Sequence, residues 1–153
     1  MDNYTDILLS SSENVQRPPI INKNKNGLLA PIAEHGFSVL VEIMYHDDNN
    51  NDAMKQRFLF DAGVSQTGVI VNSDTFGINL ADIDGIILSH GHIDHYNGLV
   101  SVVQHISKPI RLYAHPDAFL KRWLVLPDGS KAFTTLDEDD RNDTRGSHWH
   151  FQK

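Results

Sequence analysis

The residues best suited to chemistry lie together. His90, Gly91, His92, Ile93, Asp94 and His95 form the run His-x-His-x-Asp-His. Imidazole suits zinc, iron and similar ions, and a carboxylate helps to hold a second, harder ion. His90 and His92 are two positions apart, so in extended or loop backbone their side chains lean to one side and can share one ion. Asp94 and His95 follow, and a turn there can direct them to a second. Two ions about 3.5–4 Å apart lower the pKa of a water between them and clamp both reacting oxygens. Gly91 lets the backbone pass close to the ions. His-x-His alone is a weak signal in a chain with 9 histidines. The whole six-residue pattern is much more specific. The chain has no cysteine, which excludes thiolate ligands and disulfides.

A loop of this kind needs a rigid element to deliver it. Residues 83–88 (IDGIIL) read as a short buried strand that stops at Ser89, directly before the cluster. Strand ends in α/β sheets open onto a crevice. Upstream, residues 37–45 (FSVLVEIMY) are β-branched and apolar, and residues 58–60 give a second strand that ends at Asp61-Ala62-Gly63. The two are expected to form an antiparallel hairpin with polar residues 46–56 as its loop. Residues 7–9 form a short strand candidate, 10–14 a turn and 16–26 an exposed loop. Residues 73–80 fit a helix or a turn. Downstream, Leu99, Val100, Val103 and Ile106 share one helical face within residues 97–106. Residues 109–114 read as a strand, and Pro116 opens a helix over 117–124 with Phe119, Leu120, Trp123 and Leu124 apolar. Pro127-Asp128-Gly129 is a turn, and 137–143 is an acidic, solvated run. Strands first and then strand–helix–strand–helix suits an α/β or α+β sheet covered by helices. One domain over 1–153 is expected, with 127–153 as a tail without fixed structure.

Length and charge narrow the function. With 153 residues, 40% of them hydrophobic and 22% charged, the chain is globular rather than disordered. Its 13 Lys and Arg against 20 Asp and Glu give a net charge of −7. That argues against a nucleic-acid partner, which wants a basic face, and against an anionic membrane surface. No apolar run is long enough to span a bilayer. The first residues lack the basic and apolar regions of a signal peptide, so a cytoplasmic location is expected.

Residues 88–99 (LSHGHIDHYNGL) resemble the metal loop of the metallo-β-lactamase superfamily, and Phe60-Asp61-Ala62-Gly63 resembles its upstream Asp-x-Gly turn. Ala33-Glu34-His35-Gly36-Phe37-Ser38 and Ala114-His115-Pro116-Asp117-Ala118-Phe119 are similar to a subgroup related to 7,8-dihydropterin-6-methyl-4-(β-D-ribofuranosyl)-aminobenzene-5′-phosphate synthase. The resemblance implies an αββα sandwich, of which this chain carries the N-terminal half. It implies two divalent metal ions, zinc first and iron or manganese next. His90 and His92 would bind one, and Asp94 and His95 the other. Asp94 is the catalytic candidate, because in hydrolytic members it also orients the attacking hydroxide. In the transferase the metals would help a pyrophosphate leave a pterin methylene. The implied partner is a small-molecule substrate, phosphorylated or pterin-like. Asp61 would orient ligands from behind, and His35 is a further candidate near the site.

The family pattern asks for more ligands, including a third histidine and a bridging acidic residue. Only His148 and His150 remain as candidates, while His115 is expected to bond locally and His46 and His105 to lie on the surface. A full fold also needs roughly 200–250 residues. Two readings therefore stand. One is a hydrolase or pterin-type transferase. The other is a truncated, non-catalytic remnant that binds metal or a partner. A half-sandwich leaves a sheet face without cover, which predicts self-association.

Overall fold

Alternation of apolar side chains builds the sheet. In the computed structural model, residues 11–15, 21–22, 27–28, 31–46, 53–136 and 148–151 are described. Ile21–Asn22 (β1), inside residues 16–26 expected to be loop, pairs as a small hairpin with Gly27–Leu28 (β2) just beyond it. Val39–His46 (β3) pairs antiparallel with Ala53–Phe60 (β4) along all eight residues of each. Gly85–Leu88 (β5), Arg111–Ala114 (β6) and His148–Phe151 (β9) add in parallel, giving the sheet order β3-β4-β5-β6-β9. The fold is mixed α/β. The strand candidate at 7–9 and the acidic run at 137–143 lie outside the described residues.

Cross-strand register decides which residues are core. Leu40, Leu59, Ile86 and Leu112 stand in one row across four strands. On that face lies the helix Leu99–Ile106 (α3), whose Leu99, Val102, Val103 and Ile106 are buried. The row and the helix belong to one apolar cluster, joined by Leu80, Ile83 and Ile110. A side chain fully buried there contributes about 1.5–3 kcal/mol relative to exposure.

Two expected elements differ. β4 begins at Ala53, so the hairpin loop is shorter than 46–56. Lys55, one of the polar residues that suggested a loop, pairs across the strands with Glu42, which Arg57 Nε also meets at 2.8 Å. Residues 117–124 do not form a helix. A single 3-10 turn covers Pro116–Phe119, and Leu120 is already extended at φ −66°, ψ 142°. Trp123–Val125 (β7) then pairs antiparallel with Lys131–Phe133 (β8). The first half of the ambiguous segment 73–80 belongs to a helix that starts earlier, Gly68–Phe76 (α1), closed by Gly77 in the left-handed region.

The opposite sheet face is apolar and open. Val39, Val41, Ile43 and Tyr45 alternate along β3 and are 36–46% exposed. Phe58 and Phe60 of β4 share that face. Exposed apolar patches of this kind drive association. We expect the chain to self-associate at micromolar concentration, and Ile43→Lys to shift it toward monomer in sedimentation velocity. A wild-type chain that sediments as a monomer throughout would refute this.

Candidate metal centre

The cluster sits where register puts it, past the C-terminal ends of β4 and β5. The Asp61 N–H donates to the Ile87 carbonyl at 2.8 Å, which carries the parallel pairing into the turn after β4. Asp61 is fully buried and holds φ 60°. Asp tolerates this left-handed backbone better than most residues. His92–Ile93 then enters a single helical turn, Ile93–Tyr96 (α2), so His90, His92 and His95 fold back on one another. Ring centroids lie 4.5 Å apart for His90 and His92 and 4.2 Å for His90 and His95. Asp94 Oδ2 is 3.7 Å from His95 Nε2. The four residues singled out from the sequence are thus brought together.

Asp61 supports His95 directly and His90 through Ser89. One carboxylate oxygen accepts the Ser89 backbone N–H at 2.8 Å. The other accepts the Ser89 hydroxyl at 2.7 Å and pairs with His95 Nδ1 at 2.7 Å. Ser89 Oγ, its proton given to Asp61, stands 2.8 Å from His90 Nδ1. An ionised carboxylate only accepts. The network therefore assigns N–H to Nδ1 of both His95 and His90, leaving Nε2 of each with its lone pair free. Burial holds the His90 imidazole below the ordinary histidine value of 6.5, and the neighbouring His95 and His92 charges act the same way. A neutral ring near pH 7 is the form that donates to a metal.

Other contacts complete the frame. Phe37 stacks on His95, with centroids 6.1 Å apart and planes 29° apart. The Phe37 N–H donates to the Asp94 carbonyl at 3.2 Å, and the Ala62 N–H to the His95 carbonyl at 2.7 Å. His35 Nε2 lies 3.5 Å from Asp94 Oδ2, with its side chain 95% exposed. His115 accepts the Asp117 N–H at 3.2 Å, the local bond expected of it. His46 and His105 are exposed, as expected. In β9, His148 is level with Arg111 and His150 with Tyr113. Both lie inside the sheet, before the strand end at which the metal loop begins. Gly91 is needed for a closer reason than ions: a Cβ there would collide with the Ala118 carbonyl and the Arg122 guanidinium. Ser89, Phe37 and Arg122 were not legible in the sequence, since each acts through a partner distant in the chain or through one hydrogen bond.

The donor chemistry of His90, His92, Asp94 and His95 fits divalent ions. Among the described residues, no group of three His, Asp or Glu side chains is arranged to hold a single ion. Among them also, no helix is long and apolar enough to cross a membrane.

The sequence model of the metallo-beta-lactamase superfamily matches residues 37–151. The 7,8-dihydropterin-6-methyl-4-(beta-D-ribofuranosyl)-aminobenzene-5'-phosphate synthase of Methanocaldococcus jannaschii is 36% identical over 110 residues, 70% of this chain and 35% of the relative. An uncharacterised protein of the same organism is 40% identical over 91 residues, 60% of this chain and 31% of the relative. The chain thus spans about a third of the length of these curated relatives. Among solved structures, the Rm3 metallo-beta-lactamase is 25% identical with a TM-score of 0.38, covering 55% of this chain and 31% of its own. A B3 metallo-beta-lactamase with an active-site glutamic acid is 18% identical with a TM-score of 0.42, covering 82% and 47%.

Proposed function

The chain belongs to the metallo-β-lactamase superfamily, and on that premise we propose that it supplies the metal-binding loop of a metal-dependent enzyme acting on a small molecule, as a hydrolase or a pterin-type transferase. His90 and His92 would hold one divalent ion, and Asp94 and His95 a second, with zinc first and iron or manganese next. The observation that carries this reading is the Asp61 relay. It turns two imidazoles of the loop to the same tautomer, with both Nε2 lone pairs free, and partners of this kind orient metal ligands.

When bound, two such ions supply Lewis-acid chemistry and an acidified water near neutral pH. The chain's own residues do the rest. Asp61 and Ser89 hold the rings of His95 and His90 in place. Phe37 stacks against one face of His95. Asp94 serves as the carboxylate that orients the attacking group, and His35 stands beside it. The similarity to a pterin-phosphate synthase supports a phosphorylated or pterin-like substrate.

Metal content tests the reading. Purified, tag-free protein should retain about two equivalents of zinc, iron or manganese by inductively coupled plasma mass spectrometry. His92→Ala should lose at least half of it. Metal-free wild type after growth with added metal would sink the proposal. It would leave the second reading, a non-catalytic remnant, which is favoured by one observation: no three donors already surround one point among the described residues.

A further inference from the structure

A recess adjoins the metal loop. It has a volume of about 430 Å³, and His92 and Asp94 share its lining with Arg122, Trp123, Leu124 and Thr134. Four of these, Arg122, Trp123, Leu124 and Thr134, lie in or beside the β7–β8 hairpin, an element the metal-ligand reading does not use. The hairpin is apolar in an unusual way. Trp123 is 60% exposed and Leu124 49%, although neighbours along a strand point to opposite faces. Trp123 is held edge-on by Phe133, with centroids 5.2 Å apart.

Arg122 is fixed beside it. Nη1 donates to the Ala118 and Leu120 carbonyls at 3.1 and 3.0 Å, and Nη2 to the Asp117 carbonyl at 2.6 Å. Carbonyls hold a guanidinium in place without cancelling its charge. A guanidinium has five N–H donors, so two remain, and among the described residues Arg122 makes no ion pair. A fixed cation with spare donors beside an exposed indole suits one class of ligand. The cation takes an oxyanion, and the ring takes a flat apolar group by stacking.

We propose that this recess is a substrate subsite for a small molecule that carries an oxyanion and a planar ring, bound through Arg122 and Trp123 respectively. The proposal rests on the metal reading in one respect: ions at the loop offset the Asp94 carboxylate, which would otherwise repel the anion. The subsite places the ligand against His92 and Asp94, next to the metal loop.

Calorimetric titration of the full chain with phenyl phosphate and with inorganic phosphate, at fixed ionic strength, tests this. Metal content is measured on the same samples. Phenyl phosphate should bind about tenfold more tightly than inorganic phosphate. Trp123→Ala should erase that difference and leave inorganic phosphate unchanged. Arg122→Gln should weaken both by about tenfold, the usual scale for a lost charge-assisted hydrogen bond. Arg122 also ties down the 3-10 turn, so Arg122→Gln could unfold locally. The exposed Trp123 carries no such risk, and equal binding of phenyl phosphate by wild type and Trp123→Ala overturns the proposal. Metal present without binding of either phosphate overturns it too, and leaves the metal reading standing. The variant pattern without metal supports the Arg122–Trp123 subsite, shows that it needs no ions beside Asp94, and sinks the metal reading. Neither metal nor binding sinks both.

Discussion

Asp61→Ala is expected to weaken metal binding by 10–100-fold, the usual scale for removing the partner that orients a ligand, and to cost about 3 kcal/mol of stability. The stability cost has two sources. Asp61 is fully buried and serves Ser89 N–H, Ser89 O–H and His95 Nδ1. Removing it leaves these donors without a partner in the interior, at about 1–3 kcal/mol for an unsatisfied group. Its backbone also sits at φ 60°, which alanine adopts only at about 1 kcal/mol. Asp61→Asn separates the two. Asparagine tolerates that backbone and keeps the shape, so the melting temperature should fall less. It cannot accept on both sides, and the side that serves both the Ser89 hydroxyl and His95 Nδ1, or the one that serves the Ser89 N–H, then presents an N–H instead of an oxygen. Metal affinity should therefore fall nearly as far as in Asp61→Ala. Unchanged metal content in both variants would show that the imidazoles need no support from below, and the tautomer argument would fail with it.

What could be read in the sequence follows from how local each signal is. The four ligand candidates fall within six residues, so their local spacing exposed them, and the strand before them announced itself as Ile83 to Leu88. The Asp-x-Gly turn was legible because it ends a strand. The hairpin β7–β8 was not. Phe119, Leu120, Trp123 and Leu124 have helical spacing, yet Leu120 is extended and Trp123 pairs with Phe133 ten residues on. That partner choice is a tertiary effect that no window over 117–124 contains. Helix α1 was blurred for another reason. Its cap residue Thr67 makes no side-chain bond to the helix, and its buried residues are Gly68, Ser73 and Thr75 rather than an apolar stripe. Ser89 is the same lesson at the site. Nothing in its type or position separates it from an ordinary strand-end serine until Asp61, 28 residues earlier, is brought beneath it.

Gly98→Ala is expected to destabilise the chain by roughly 3 kcal/mol, the upper end for overpacking, which at this size lowers the melting temperature by about 10 °C. The reason is not backbone conformation, because Gly98 has φ −79°. It is space. An added Cβ would collide with the Ala62 carbonyl and lie 2.7 Å from the Ser65 carbonyl. Neither is a flexible side-chain tip that can swing away. Ala62 is held by its N–H bond to the His95 carbonyl, and Gly63 by its own to the Phe37 carbonyl. Any shift that relieves the clash therefore moves the turn carrying Asp61, and with it the ligand rings above. Gly77→Ala is the matching control. Gly77 has φ +70°, and a Cβ there would meet nothing within 4 Å, so alanine should cost only about 1 kcal/mol through backbone strain. It should leave metal affinity unchanged. Gly98→Ala should lower both the melting temperature and metal retention. If Gly98→Ala melts within about 2–3 °C of wild type, roughly the effect of 1 kcal/mol, the turn after β4 is free to move and cannot be what holds the metal loop in place.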